Sequence, residues 1–125
     1  MYRIMFVCHG NICRSPMAEF IMKDLVERAG LTADFFIASS ATSTEEIGNR
    51  VYPPAKAELK RRGVFCSDDK TAVQLKKSDY EKYDLFAVMD SYNLRNADRI
   101  FGSDPDNKVH KLLEFASQQR HCLNR

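Results

Sequence analysis

The 125-residue chain has no tryptophan, and no apolar run reaches the roughly 18 residues that a membrane span requires. A transmembrane helix is therefore excluded. Its amino terminus lacks the long apolar core and cleavage site of a secretory signal, which points to the cytoplasm. A formal net charge of only +2, with no basic stripe interleaved with aromatics, gives no basis for a nucleic-acid partner. Any attraction for an anion must be local. Repeats, linkers and low-complexity segments are also missing, so residues 1–125 read as a single domain. At 44% hydrophobic and 29% charged, the chain can bury one sizeable core but not two.

What is present alternates between strand and helix patterns. Residues 1–7 form a short, mostly apolar run of the kind expected for a buried parallel strand. A helix is expected over Arg14 to Ala29, with Met17, Phe20, Ile21, Met22, Leu25 and Val26 inward and Gly30 ending it. Phe35 to Ser39 reads as strand two, Pro53 to Arg62 as a helix closed by Gly63, and Leu85 to Met89 as strand three. Asn93 to Phe101 reads as another helix and Val109 to Phe115 as strand four. Such alternation predicts an α/β fold, a three-layer sandwich around a four-stranded parallel sheet. Ligands of such sheets bind at the carboxyl ends of the strands.

The segment between strand one and helix one, Cys8-His9-Gly10-Asn11-Ile12-Cys13-Arg14-Ser15-Pro16, carries the chemistry. Gly10 and Asn11 tolerate unusual backbone angles, and Ser15-Pro16 suits a first helical turn. The N–H groups of His9, Gly10, Asn11, Ile12, Cys13 and Arg14 can then converge at a helix N-terminus, where negative charge is favoured. A tetrahedral oxyanion such as phosphate fits there. The same surroundings should stabilise a Cys8 thiolate, lowering its pKa from about 8.5 by one to several units and making it a nucleophile at neutral pH. Arg14 offers a planar fork for two phosphate oxygens and for transition-state charge. The Ser15 hydroxyl is placed to hydrogen-bond the Cys8 sulfur, and the Asn11 amide to pin the loop from within.

Val7 through Pro16 resembles the signature loop of the low-molecular-weight protein tyrosine phosphatases. Ser39-Ser40-Ala41-Thr42 is similar to that family's Ser-Ala-Gly-Thr turn. Glu46-Ile47-Gly48 and Val51-Tyr52-Pro53-Pro54-Ala55 resemble its next loop and helix start, and Tyr83 to Asp90 with Asn93-Leu94 its third strand and following turn. The resemblance runs from about residue 2 to about residue 116. It implies hydrolysis of phosphotyrosine or small aryl phosphates through a phosphocysteine, without cofactor or metal. Cys8, Arg14 and Ser15 would be catalytic, and Asn11 and Ser40 would support the loop. Ile12 resembles the tyrosine-specific members, whereas a threonine there marks those acting on phosphoarginine.

Residues 116–125 depart from the family pattern. In the relatives, strand four leads into a loop with an Asp-Pro pair and then a final helix. The loop's aspartate is, by resemblance, the general acid. No counterpart is found here, and Asp104-Pro105 reads as a turn before strand four. Impaired turnover of poor leaving groups is expected, since general-acid help is worth about 10²- to 10⁴-fold. An uncovered sheet face is expected to promote a homo-oligomer.

Other residues keep alternative readings. Cys13 is a redox partner for Cys8 or a small buried residue; Cys66 and Cys122 read as bystanders. A zinc site at Cys8, His9 and Cys13 is disfavoured, because converging N–H groups suit an anion. His110 and His121 have no evident partner. Glu45 and Glu46 are solvated loop charges or disfavour acidic peptides by repulsion. Tyr80 and Tyr83 read as half-buried core edges or phosphorylation sites. Two rival functions remain at this stage: a catalytically weak phosphate or phosphotyrosine binder, and an arsenate reductase. The latter needs cysteines after strand three, and residues 82–93 have none.

Overall fold

The computed structural model describes residues 1–115. Four parallel strands, β1 (Tyr2–Cys8), β2 (Phe35–Ala41), β3 (Leu85–Val88) and β4 (Val109–Lys111), form one sheet in the order β2-β1-β3-β4. Helices α1 (Arg14–Arg28), α2 (Pro53–Arg61) and α3 (Ser91–Phe101) complete the expected α/β arrangement. Strand alternation sorts the core onto two faces. Met5, Val7, Phe86 and Val88 pack toward Ala97 and Phe101 of α3. Ile4, Phe6 and Ala87, one residue out of phase, pack toward Val26 of α1. A third cluster joins Phe20 of α1 to Ala55 and Leu59 of α2.

Several element boundaries differ from the sequence reading. β2 continues two residues past Ser39, because Ala41 pairs with the 73–75 segment as well as with β1. α3 begins at Ser91, with the Asp90 carboxylate accepting the Asn93 N–H at 2.8 Å as its N-cap. Strand four, expected to reach Phe115, stops at Lys111. Among the described residues its one neighbour is β3, which ends at Val88 opposite Lys111, so that ladder goes no further. Residues 112–115 turn into helix instead, with Glu114 reaching back to the His110 ring at 3.1 Å. That contact and the Asn107 carbonyl, at 2.8 Å from the ring, supply His110 with the partners that the sequence did not reveal.

The inward face of α1 is narrower than expected. Phe20 and Val26 are buried, but Ile21 and Leu25 are 38% and 56% exposed. Apolar residues encircle more of α1 than the sheet and α2 can cover. The remainder lines an open groove of about 430 Å³ with Phe6, Met17, Met22, Met89 and Leu112.

Tyr80 is core rather than edge, since its ring lies 5.1 Å from that of Phe101 and 6.1 Å from that of Phe86. Its hydroxyl donates to Asp104. Asp104 also accepts the N–H groups of Lys108 at 2.7 Å and Val109 at 3.0 Å, an arrangement that fastens the turn before β4. Burial pushes this carboxyl up, but the hydrogen bonds from Tyr80, Lys108 and Val109 outweigh it and hold the group below its ordinary value. Because the folded pKa is depressed, its stabilising contribution is present above the unfolded carboxylate pKa, near 4, and is lost as pH falls through the lower folded value. Asp104→Ala is expected to cost about 1–3 kcal/mol in urea unfolding at pH 7, and less at pH 3. An equal loss at both pH values would contradict this account.

Candidate active site

β1 delivers Cys8 to the carboxyl end of the sheet, and α1 begins six residues later at Arg14. Between them the chain turns tightly, and neighbouring segments hold it by its carbonyls. Thr42 N–H donates to the Cys8 carbonyl at 2.9 Å, Ser43 N–H to that of His9 at 3.1 Å, and Tyr52 N–H to that of Ile12 at 2.7 Å. At the start of α1, Met17 N–H donates to the Cys13 carbonyl at 3.0 Å. In a planar trans peptide the following N–H points opposite to the carbonyl. The N–H groups of His9, Gly10, Cys13 and Arg14 are thereby directed away from those anchors. The first turn of α1 holds no acidic residue, and no side chain caps it, so its positive field is not neutralised locally.

Within the turn, Asn11 N–H points at the Cys8 sulfur at 3.2 Å, and Ser15 Oγ lies 2.9 Å from the same atom. Asn11 takes the left-handed conformation, φ 59°, and is the only cradle residue to do so. Gly10, expected to share that role, does not have positive φ; a Cβ there would sit 3.3 Å from Glu46 Cγ, a tight contact that the Glu46 side chain would have to ease. Cys8 and Cys13 are both free thiols. Cys13 packs against the Phe20–Leu59 cluster together with half-buried Cys66. His9 lies at the surface with Glu45 at 3.1 Å, and Glu46 accepts from Asn49 at 2.7 Å.

The support expected from Ser40 falls mainly on Ser39. Successive strand residues face opposite sides of the sheet. Ser39 Oγ accepts from Asn11 Nδ2 at 2.9 Å, whereas the Ser40 hydroxyl turns to Met5 Sδ at 2.8 Å. Ser40 reaches the cradle only through its carbonyl, 3.5 Å from Ser15 Oγ.

Four residues join the site that the motif alone did not indicate. Asp90, following β3, holds Arg14 Nη1 at 3.0 Å. Asn93 N–H, and then the Arg14 guanidinium, hold the Asp90 carboxyl below its usual value. Behind the loop, Ser39 Oγ donates to the buried carboxylate of Glu19 at 2.5 Å, and Lys70 Nζ donates to Asn11 Oδ1 at 3.0 Å. Each comes from a separate segment, and none carries a spacing that periodicity could have flagged. Asp104 stands at the amino end of β4, opposite to the end where parallel β1 presents Cys8.

A thiol under converging amides beside a tethered guanidinium is equipped to hold a phosphoryl group and attack it. A family model described as low molecular weight phosphotyrosine protein phosphatase matches residues 3–123. The low molecular weight phosphotyrosine protein phosphatase of Schizosaccharomyces pombe is 41% identical over 116 residues, covering 92% of this chain and 73% of that protein. Among solved structures, YfkJ from Bacillus subtilis superposes with a TM-score of 0.86 at 33% identity, covering 92% of this chain and 72% of that one. The arginine phosphatase YwlE, also from Bacillus subtilis, has been solved as a cysteine-to-serine mutant with a phosphorylated active-site serine. It matches with a TM-score of 0.78 at 29% identity, over 90% of this chain and 70% of that one. Sequence and fold agree across nearly the whole length, and the chain belongs to the low molecular weight phosphotyrosine protein phosphatase family.

Proposed function

We propose that residues 1–125 act as one domain that hydrolyses phosphotyrosine and small aryl phosphates in two steps. In the first, the Cys8 thiolate attacks phosphorus; the sulfur–phosphorus bond forms as the bond to the aryl oxygen breaks, and the phenolate leaves with the electron pair. In the second, water attacks the phosphocysteine, and sulfur departs as thiolate while inorganic phosphate is released. Arg14 and the N–H groups of residues 9–14 hold the phosphoryl oxygens, and Ser15 hydrogen-bonds the sulfur as it gains or regains charge. The reading is carried by the contacts of the Cys8 sulfur with Asn11 N–H and the Ser15 hydroxyl. The phosphorylated active-site serine of the YwlE mutant supports a covalent intermediate.

Tyrosine phosphate is favoured over arginine phosphate by the apolar edge that Ile12 offers to a ring. Asp90 is unsuited to protonate the leaving oxygen, since its carboxyl is held in the ionised form by Asn93 N–H and Arg14. For this 125-residue chain we expect strong dependence on the leaving group. The kcat/KM for nitrophenyl phosphate should exceed that for unsubstituted phenyl phosphate by about 10²- to 10⁴-fold, the range that general-acid assistance otherwise supplies. Equal kcat/KM values for the two esters would reveal an efficient proton donor and refute the expectation.

The partner reading includes a second copy of the chain. The groove bounded by Met17, Ile21, Met22 and Leu25 leaves apolar surface open among the described residues. Sedimentation should show concentration-dependent association that Ile21→Glu abolishes; a monomer at every concentration would sink this reading. We place the protein in the cytoplasm, where a reducing environment keeps a nucleophilic thiol free. Cell fractionation checks that assignment.

A further inference from the structure

We propose that Lys70 is a positioning residue for the phosphate cradle, setting the proton direction of the hydrogen-bond chain from Asn11 through Ser15 to Cys8. The inference rests on the reading of Cys8 as nucleophile and adds a residue outside the loop to it.

A lysine ammonium only donates. Its Nζ lies 3.0 Å from Asn11 Oδ1 and 3.2 Å from the Ser39 carbonyl, in a side chain only 13% exposed. Val73 N–H donates to the same Asn11 oxygen at 3.1 Å. Two donors therefore converge on one end of the amide, and the reversed orientation would set NH₂ against both of them. The Asn11 nitrogen must then face the other way, where it donates to Ser15 Oγ at 2.8 Å and Ser39 Oγ at 2.9 Å. Having accepted from Asn11, Ser15 directs its own proton elsewhere. The nearest acceptor is the Cys8 sulfur at 2.9 Å; the Ser40 carbonyl is farther, at 3.5 Å. A hydroxyl that donates to sulfur favours the thiolate over the thiol.

Charge reinforces direction. Glu19 Oε1 stands 4.0 Å from Lys70 Nζ, and Lys23 pairs with the other Glu19 oxygen at 2.6 Å. Two ammonium groups and one carboxylate thus lie behind the loop, a net positive charge. On the cleft side, Arg14 is paired with Asp90 and His9 with Glu45. Burial pushes the Lys70 ammonium down and Glu19 pulls it back up, with Lys23 opposing and Cys8 assisting. The lysine also fastens Asn11 in its left-handed conformation, which an unsupported asparagine adopts at some energetic cost.

The test compares Lys70→Met, Lys70→Gln and Lys70→Arg with the unaltered chain, by the rate of iodoacetamide alkylation across pH. Mass spectrometry locates the label. Lys70→Met should reduce alkylation of Cys8 near pH 6 on the order of tenfold and move the reactivity profile toward higher pH. Lys70→Arg, which keeps charge and donors, should return most of that reactivity. Lys70→Gln keeps a donor without charge and should fall between them; it also serves if Lys70→Met fails to fold. A profile that stays in place in the neutral variants would overturn the proposal, because lost packing alone lowers thermal stability without moving thiol reactivity. So would a Lys70→Arg variant no more reactive than Lys70→Met. Label landing on a residue other than Cys8 in the unaltered chain would instead refute the nucleophile assignment, whatever Lys70 does.

Discussion

Cys8→Ser is expected to abolish turnover of aryl phosphates, with a loss on the order of 10⁵-fold or more, comparable with removal of an essential nucleophile elsewhere. A serine hydroxyl is nearly isosteric, so the turn anchored by Thr42, Ser43 and Tyr52 should persist. What is lost is ionisation: a hydroxyl beside Ser15 and under the Asn11 N–H stays protonated at neutral pH, whereas a thiol there can become thiolate. Calorimetric titration with inorganic phosphate should show binding retained while nitrophenolate release falls to background. Loss of both would mean that the substitution had collapsed the cradle, and retention of both would remove Cys8 from the chemistry.

Arg14 carries the second large effect. Its guanidinium begins α1, is half-exposed, and is tethered by one nitrogen to Asp90. Charge on the equatorial oxygens is greatest in the transition state, so the loss should appear mainly in kcat. Arg14→Ala is expected to lower it by about 10³- to 10⁵-fold, the range associated with arginine clamps in phosphoryl transfer. Arg14→Lys should recover little, because an ammonium cannot hold two oxygens in a plane while also meeting Asp90. Steady-state kinetics with nitrophenyl phosphate test this; a lysine variant within tenfold of the parent would show that charge suffices without the fork.

Cys8 and Arg14 were legible in the sequence as candidate nucleophile and clamp for a simple reason. A cradle made from one strand, one turn and one helix start is contiguous, so its chemistry and its local conformation are encoded in the same nine residues. Asn11 followed the same logic: a left-handed position inside a tight turn selects a short amide side chain. The α/β layering was legible too, because a parallel strand and a crossover helix impose different apolar patterns. Expectations failed where an element's fate depends on its neighbours. Strand four stopped early because β3 offered no further partners, and Ile21 and Leu25 lie open because nothing in residues 1–115 packs on that side of α1.

Support for the loop was equally hidden. Ser39, Lys70 and Asp90 meet cradle residues across 28, 59 and 76 positions of chain. Spacing over such distances carries no geometry. The choice between Ser39 and Ser40 turned on which face of β2 each residue occupies, and β2's register against β1 decides that.

The amino-acid sequence by itself determined the tight turn from β1 into α1, with Cys8 before it and Arg14 at the helix start, because backbone N–H geometry and helix polarity are local properties. Only the tertiary structure decided what sits behind that turn: a partly buried lysine, a buried glutamate and a serine from β2, brought together by strand pairing and crossover connections. Packing, rather than proximity along the chain, places charge in a region shielded from water, where its influence on the sulfur is strongest.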